Sequence, residues 1–251
     1  MSLSSHLRDS KSPVRRFLYD RFPNGAGVAK SYRTQLAAAT TMRPEGSLPW
    51  STSGVALDYR IRYYFAPTSS KELRAWDGAD NFGGGVPSYR GAPAIDDTPA
   101  INRWTGETVE EATSKGVIVQ DFFDGLDAQL EKLSPKGKRL DRQDEATLNR
   151  YCWGLALFEH AARTGVVDEP LLSVSSYEAL VALPENDWID DLSRLSWGFY
   201  EHAHDQLAQP VILNPTFAGS FDVAGADADL ILNGCLIDIK STINSRLSRS
   251  T

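Results

Sequence analysis

The sequence predicts an α+β or α/β protein in which a helix-rich N-terminal region precedes a β-containing C-terminal core. Three observations carry this. From about residue 117 to 208, apolar residues recur at helical spacing. Residues 55–65, "VALDYRIRYYF", alternate instead, with Val55, Leu57, Tyr59, Ile61, Tyr63 and Phe65 on one side. Residues 226–242, "ADADLILNGCLIDIKST", place two β-rich runs on either side of Asn233-Gly234.

Taken in order, residues 12–35 open on Ser-Pro and contain Pro23-Asn24-Gly25, which predicts one or two short helices joined by a turn. The period of two over 55–65 predicts a long half-buried strand. Residues 77–103 are rich in Gly, Pro and Ala, which predicts a surface loop or linker. Gly83, Gly84 and Gly85 are followed by no Gly-Lys-Ser/Thr, so they are no phosphate loop. Phe122, Phe123, Leu126, Leu130 and Leu133 mark one helix, stopped by Ser134-Pro135. Leu148, Tyr151, Cys152, Leu155, Phe158 and Ala162 mark a second, with Asp144 as its cap and Gly165 as its stop. Trp188, Leu192, Leu195, Phe199 and Ala203 mark a third, ending before Pro210. The organisation expected is an N-terminal region over 1–110 and a helical and β-containing part over 111–251.

Composition narrows the function classes. The chain has 251 residues, is 41% hydrophobic and 24% charged, and has no apolar run near the length of a membrane span. Its start, "MSLSSHLRDSKSPVRRF", lacks a hydrophobic signal core, so a cytoplasmic location and no membrane partner are expected. Cys152 and Cys235 lie in apolar stretches and read as reduced core thiols. His202 and His204 fall about 200° apart on a helix, which excludes them as a chelating pair. No Gly-x-Ser-x-Gly elbow or Cys-x-x-Cys pair is present. The net charge of −7 is unevenly spread, because Arg8, Lys11, Arg15, Arg16, Arg21, Lys30 and Arg33 cluster early and Lys240, Arg246 and Arg249 fall late. That start fits either a nucleic-acid-binding patch, with Arg15, Arg16, Lys30, Arg33 and Arg246 as its cations, or an ordinary solvated surface.

The aspartates of the C-terminal hairpin decide the functional expectation. A two-residue turn at Asn233-Gly234 pairs Leu232 with Cys235, Ile231 with Leu236, Leu230 with Ile237, Asp229 with Asp238 and Asp227 with Lys240. Ala228, Leu230, Leu232, Cys235, Ile237 and Ile239 then share an apolar face, and the polar residues converge on the other. Opposed Cβ atoms lie roughly 4.5–5.5 Å apart. Two carboxylates at that separation oppose folding unless neutralised, and a hard cation such as Mg²⁺ or Mn²⁺ does this with oxygen ligands. Lys240, two residues after Asp238, projects to the same side. A plain cross-strand charge network is the competing description, and Asp227 alone also fits a strand-end residue bonded to backbone.

Asp229, eight residues, then Asp238-Ile239-Lys240 resembles the signature of the PD-(D/E)XK (restriction-endonuclease-like) nuclease superfamily, as it occurs in bacterial members. The resemblance runs from about residue 215 to 242. It implies a mixed β-sheet core flanked by helices, Mg²⁺-dependent hydrolysis of DNA, metal ligands at Asp229 and Asp238, and a catalytic lysine at Lys240. Asp227 is an additional candidate ligand, and so is Glu201, since such enzymes often recruit an acid from a preceding helix. Members continue past the lysine with a helix and further strands, whereas eleven residues follow Lys240 here. The core is therefore expected to be completed by a C-terminal segment or a partner subunit. A nuclease-like module that binds nucleic acid or protein without cutting is the alternative.

Overall fold

The structure, a computed structural model, describes residues 8–21, 23, 49–68, 72–82, 109–215 and 229–237, with the backbone alone for 80–82 and 109–113. The chain separates into two compact units, residues 44–208 and residues 1–43 with 209–251.

The first unit is helical. Its elements are α2 (Trp50–Phe65), α3 (Arg74–Phe82), α4 (Val109–Leu133), α5 (Arg142–Thr164), α6 (Glu169–Leu172), α7 (Tyr177–Ala182), α8 (Asn186–Ala203) and a 3₁₀ turn (His204–Gln206). The second unit holds α1 (Pro13–Arg21) and the strands β1 (Val211–Leu213), β2 (Leu230–Leu232) and β3 (Cys235–Ile237). The described residues are thus helix-rich with a small antiparallel sheet, a broad α+β arrangement.

Helix α5 is the centre of the helical unit, and its ends follow capping chemistry. The Asp141 side chain accepts the Asp144 N–H at 2.9 Å, and Gly165 closes the helix at φ 70° with its N–H on the Ala161 carbonyl. The cap is therefore Asp141 rather than Asp144, which lies inside the first turn. Phe122, Phe123 and Leu126 of α4 meet Leu148, Leu155 and Phe158 of α5, all fully buried. Helix α3 crosses α5 closely enough that a Cβ on Gly78 would stand 1.7 Å from the Phe158 carbonyl oxygen. Only glycine permits that approach. The Gly/Pro/Ala-rich stretch is thus helical at its start, through Phe82, and residues 83–103 lie outside the described ones.

The expected strand over 55–65 is instead the second half of α2. Alternation arose because the C-terminal half of α2 is enclosed on every side: residues 58–65 are all buried. A helix with no solvent face loses the period of 3.6 that would announce it. The charged residues of that half are paired inside the unit, while the buried Tyr63 hydroxyl finds no partner among the described residues. Arg60 donates from Nε and Nη2 to both Glu145 oxygens at 2.8 Å, and the two side chains have no exposed surface. Arg62 pairs with Asp58 one turn earlier, and Tyr59 donates to Glu159 at 2.5 Å.

Helix α8 turns Ile189, Leu192, Ser193 and Ser196 inward, while Leu195, expected in its apolar stripe, is 40% exposed. The serines replace leucine on that face because they complete the Arg60–Glu145 network. Ser196 donates to Glu145 at 2.5 Å, and Asn149 donates to Ser193 at 2.9 Å.

Removing one partner of a buried ion pair strands the other charge. Arg60→Ala or Glu145→Ala should therefore each lower stability by about 3–5 kcal/mol, read as a shift of the urea midpoint. The double variant Arg60→Met with Glu145→Leu should lose clearly less than the sum of the two. A loss equal to that sum would mean that the two residues act independently.

Candidate functional site on the C-terminal hairpin

Asn233 and Gly234 have φ of 49° and 77°, so both central residues of the turn are left-handed. That is the type I′ geometry whose twist matches the flanking strands, and Asn-Gly adopts it readily. The register follows as expected: Leu232 pairs with Cys235, Ile231 with Leu236 and Leu230 with Ile237. Strand β1 adds to the free edge of β2, pairing Val211 with Leu232, Ile212 with Ile231 and Leu213 with Leu230. Two further bonds bracket that ladder, Asn233 N–H to the Pro210 carbonyl at 3.1 Å and Asn214 N–H to the Asp229 carbonyl at 3.0 Å. The backbone of Asp229 is thereby fixed at the end of β2.

The faces differ. Leu230 and Leu232 are buried, at 0% and 3% exposure. On the other face, Ile212 and Leu236 are 57% and 61% exposed, and strand alternation assigns half-buried Asp229 to that side. Cys235 is exposed beside the turn, so it is not the core thiol that its apolar surroundings suggested.

Of the expected site residues, Asp229 is placed as described, while Asp227, Asp238 and Lys240 lie outside the described residues. Glu201 sits on α8 in the helical unit, largely exposed, 3.8 Å from Arg139. Arg15 and Arg16 lie on α1, and Lys30, Arg33 and Arg246 fall outside the described residues. Among the described residues no group of three or more His, Cys, Asp or Glu side chains is arranged to hold a metal ion. His202 and His204 turn to the backbone carbonyls of Gly198 and Glu201, one each.

The helical unit offers two further places where chemistry could gather. One is the Arg60–Glu145 cluster, which sequence reading passed over because α2 resembled a strand. Burial by itself would depress the Arg60 pKa, but the hydrogen bonds and charge of Glu145 raise it above its ordinary value. Burial likewise pushes the Cys152 thiol far above the usual range and the Tyr64 hydroxyl up to about 12. Shifted groups often mark active sites, yet Arg60, Glu145 and Cys152 are all at 0% exposure. With no route for a substrate, the cluster holds the fold. The other place is an open groove of about 680 Å³ lined by Thr147, Arg150, Tyr151, Tyr177, Glu178 and the α7–α8 connection. Its guanidinium is already occupied: Arg150 donates to the carbonyls of Val181 and Pro184 and to Asn186 Oδ1. Neither place assembles an acid–base pair within reach of a substrate.

Comparison with protein-family models, curated proteins and solved structures found no match. The hairpin's function is therefore argued from its own residues.

The two thiols separate experimentally. Titration of the native chain with a disulfide reagent at neutral pH should modify Cys235 rapidly and leave Cys152 protected, with the second equivalent released only in denaturant. Two rapidly reacting thiols in the native state would mean that α5 is not enclosed as described.

Proposed function

We propose that this chain is a Mg²⁺-dependent nuclease that hydrolyses DNA phosphodiester bonds at its C-terminal hairpin. The observation that carries the proposal is the left-handed Asn233-Gly234 turn with its three-pair register. That register is the one from which the convergence of Asp229 and Asp238 was expected, and Asp238 itself lies outside the described residues. The residues suit the ion: Asp229 is half-buried at a strand end whose backbone is fixed, and carboxylate oxygens are the donors Mg²⁺ or Mn²⁺ prefers. When bound, such an ion lowers the pKa of a coordinated water and neutralises charge on the scissile phosphate. In this reading Asp229 and Asp238 are the ligands, with Asp227 as an additional candidate. Lys240 places its ammonium against the phosphate oxygens, where negative charge grows as water attacks. The restriction-endonuclease-like core, a cytoplasmic setting, and a role in restriction, antiphage defence or DNA repair belong to the same proposal and rest on the motif resemblance.

A second reading is a nuclease-like module that binds nucleic acid or a partner subunit without cutting. The exposure of Ile212 and Leu236 on the Asp229 side of the sheet favours it, since apolar side chains there suit a covering protein surface.

A cleavage assay on plasmid and linear DNA with Mg²⁺, Mn²⁺ or EDTA separates the two. The enzyme reading expects cutting with either metal and none in EDTA. Lys240→Ala should reduce the rate by about 10²–10³ while sparing most DNA binding, because affinity comes from many phosphate contacts. In calorimetry, wild type should bind Mn²⁺ and Asp238→Asn should not. DNA binding without cutting under any metal, also when the segment or subunit expected to complete the core is supplied, leaves only the second reading.

A further inference from the structure

Helix α2 crosses α5 at a point that its bonds define. Arg60 reaches Glu145 and its neighbour Tyr59 reaches Glu159, so the crossing lies between those two positions, near Cys152. On α5, Glu145, Asn149, Cys152 and Ala156 follow at steps of four, three and four, which makes one stripe. On α2, Ala56, Arg60 and Tyr63 form a stripe by the same spacing. All seven are buried, and Arg60, Asn149 and Cys152 have no exposed surface.

Three polar atoms on these stripes have no hydrogen-bond partner among the described residues: Arg60 Nη1, the Tyr63 hydroxyl and Asn149 Oδ1. Their neighbours fix what each one needs. Arg60 uses Nε and Nη2 on Glu145 and lays its guanidinium 3.8 Å from the Tyr64 ring centroid. The Nη1 N–H groups therefore require an acceptor in the guanidinium plane. Asn149 Nδ2 donates to Ser193 Oγ at 2.9 Å and to Glu145 Oε1 at 3.5 Å, while Ser193 gives its own proton to the Ile189 carbonyl. Two acceptors thus hold the amide in one orientation, and Oδ1 is left requiring a donor. Arg60 and Asn149 meet on the same Glu145 oxygen, so both unmet needs arise in one place. Burial pushes the Tyr63 hydroxyl well above its ordinary pKa, and the Cys152 thiol adds to that rise. Tyr63 accordingly keeps its proton and offers a donor beside the same crossing.

We propose that the α2–α5 crossing binds one buried water, which accepts from Arg60 Nη1 and the Tyr63 hydroxyl and donates to Asn149 Oδ1. The chemistry of the three groups identifies the ligand. Two donors and one acceptor call for a molecule that both accepts and donates. An anion would face Glu145 and Asn149 Oδ1, and a cation would face the Arg60 N–H groups, so the ligand is neutral. It is also small, because the cluster has no exposed surface and Ala56, Cys152 and Ala156 keep side-chain bulk low there. Buried waters make about three hydrogen bonds to groups of this kind. The water adds a second polar tie between α2 and α5 beside the Arg60–Glu145 pair.

Two measurements on the full chain test this. Tyr63→Phe removes the hydroxyl and keeps the ring, and the sign of its effect on urea unfolding is decisive. With the water in place the variant loses a hydrogen bond, so the unfolding constant should rise by about two- to tenfold. A hydroxyl that is orphaned instead costs stability, and its removal would lower that constant. An unfolding constant that falls or stays unchanged would overturn the proposal. A crystal structure of the wild-type chain should show one solvent peak within about 3.2 Å of Arg60 Nη1, the Tyr63 hydroxyl and Asn149 Oδ1. Direct pairing of these atoms with one another, or density without that peak, would overturn it as well. Neither measurement involves the hairpin, so the outcome is independent of the metal-site reading.

Discussion

The Arg60–Glu145 ion pair is the constraint on which the helical unit depends. Two opposite charges with no exposed surface lose contact with bulk water, and only close, multiply bonded geometry offsets that loss. The geometry here is of that kind. Glu145 receives two bonds from Arg60 and a third from Ser196, and Arg60 stacks 3.8 Å from the Tyr64 ring centroid. The bonds reach Glu145 of α5 from two other helices, α2 and α8, so the pair sets the positions of α2, α5 and α8 together. Apolar contacts alone would tolerate sliding of one helix along another. A bidentate arginine does not.

Around that centre the packing is apolar and close. Phe122, Phe123 and Phe158 form a cluster with ring centroids 5.4–5.9 Å apart, and Gly154 admits the Phe122 ring where a Cβ would lie at 2.6 Å. Tyr64 extends the polar centre outward, stacking on Phe199 at 6.1 Å and meeting Tyr200 at 5.4 Å. The result is a closed, fully internal set of ionisable groups. Chemistry on a large substrate needs access, which directs attention to the other unit. There a short sheet fixes the backbone of Asp229.

What the sequence made legible was the local chemistry. The Asn233-Gly234 turn and its register required only turn preference and alternation, and both hold for the described pairs. Helices α4 and α8 were legible because each retains a solvent face. Helix α5, enclosed over residues 151–159, was legible instead from the helical spacing of its largest apolar residues and from Gly165 at its end. Helix α2 was hidden, because enclosure on all sides removed its period and left an accidental alternation of Val55 through Phe65. One signal pointed the other way: Asp58 and Arg62 are spaced for a helical i,i+4 pair, and that pair forms. The cap on α5 was missed by three residues because Asp141 and Asp144 are both good caps, and only backbone geometry distinguishes them. Leu195 pointed outward for a reason that pattern cannot show. The inward positions beside it, Ser196 and Ser193, bond Glu145 and Asn149, both far away in sequence. For the site, Asp229 was legible from its place before the β2 run, whereas Asp238 and Lys240 lie outside the described residues.

The central functional claim is that Asp229 and Asp238 share one divalent cation. Crystals of the full chain soaked in Mn²⁺ test it most directly, through anomalous scattering measured at the manganese edge. The claim predicts one strong peak about 2.1 Å from carboxylate oxygens of both aspartates, with the Lys240 ammonium on the same side of the hairpin. A peak elsewhere, or the two carboxylates on opposite faces of the sheet, would contradict it.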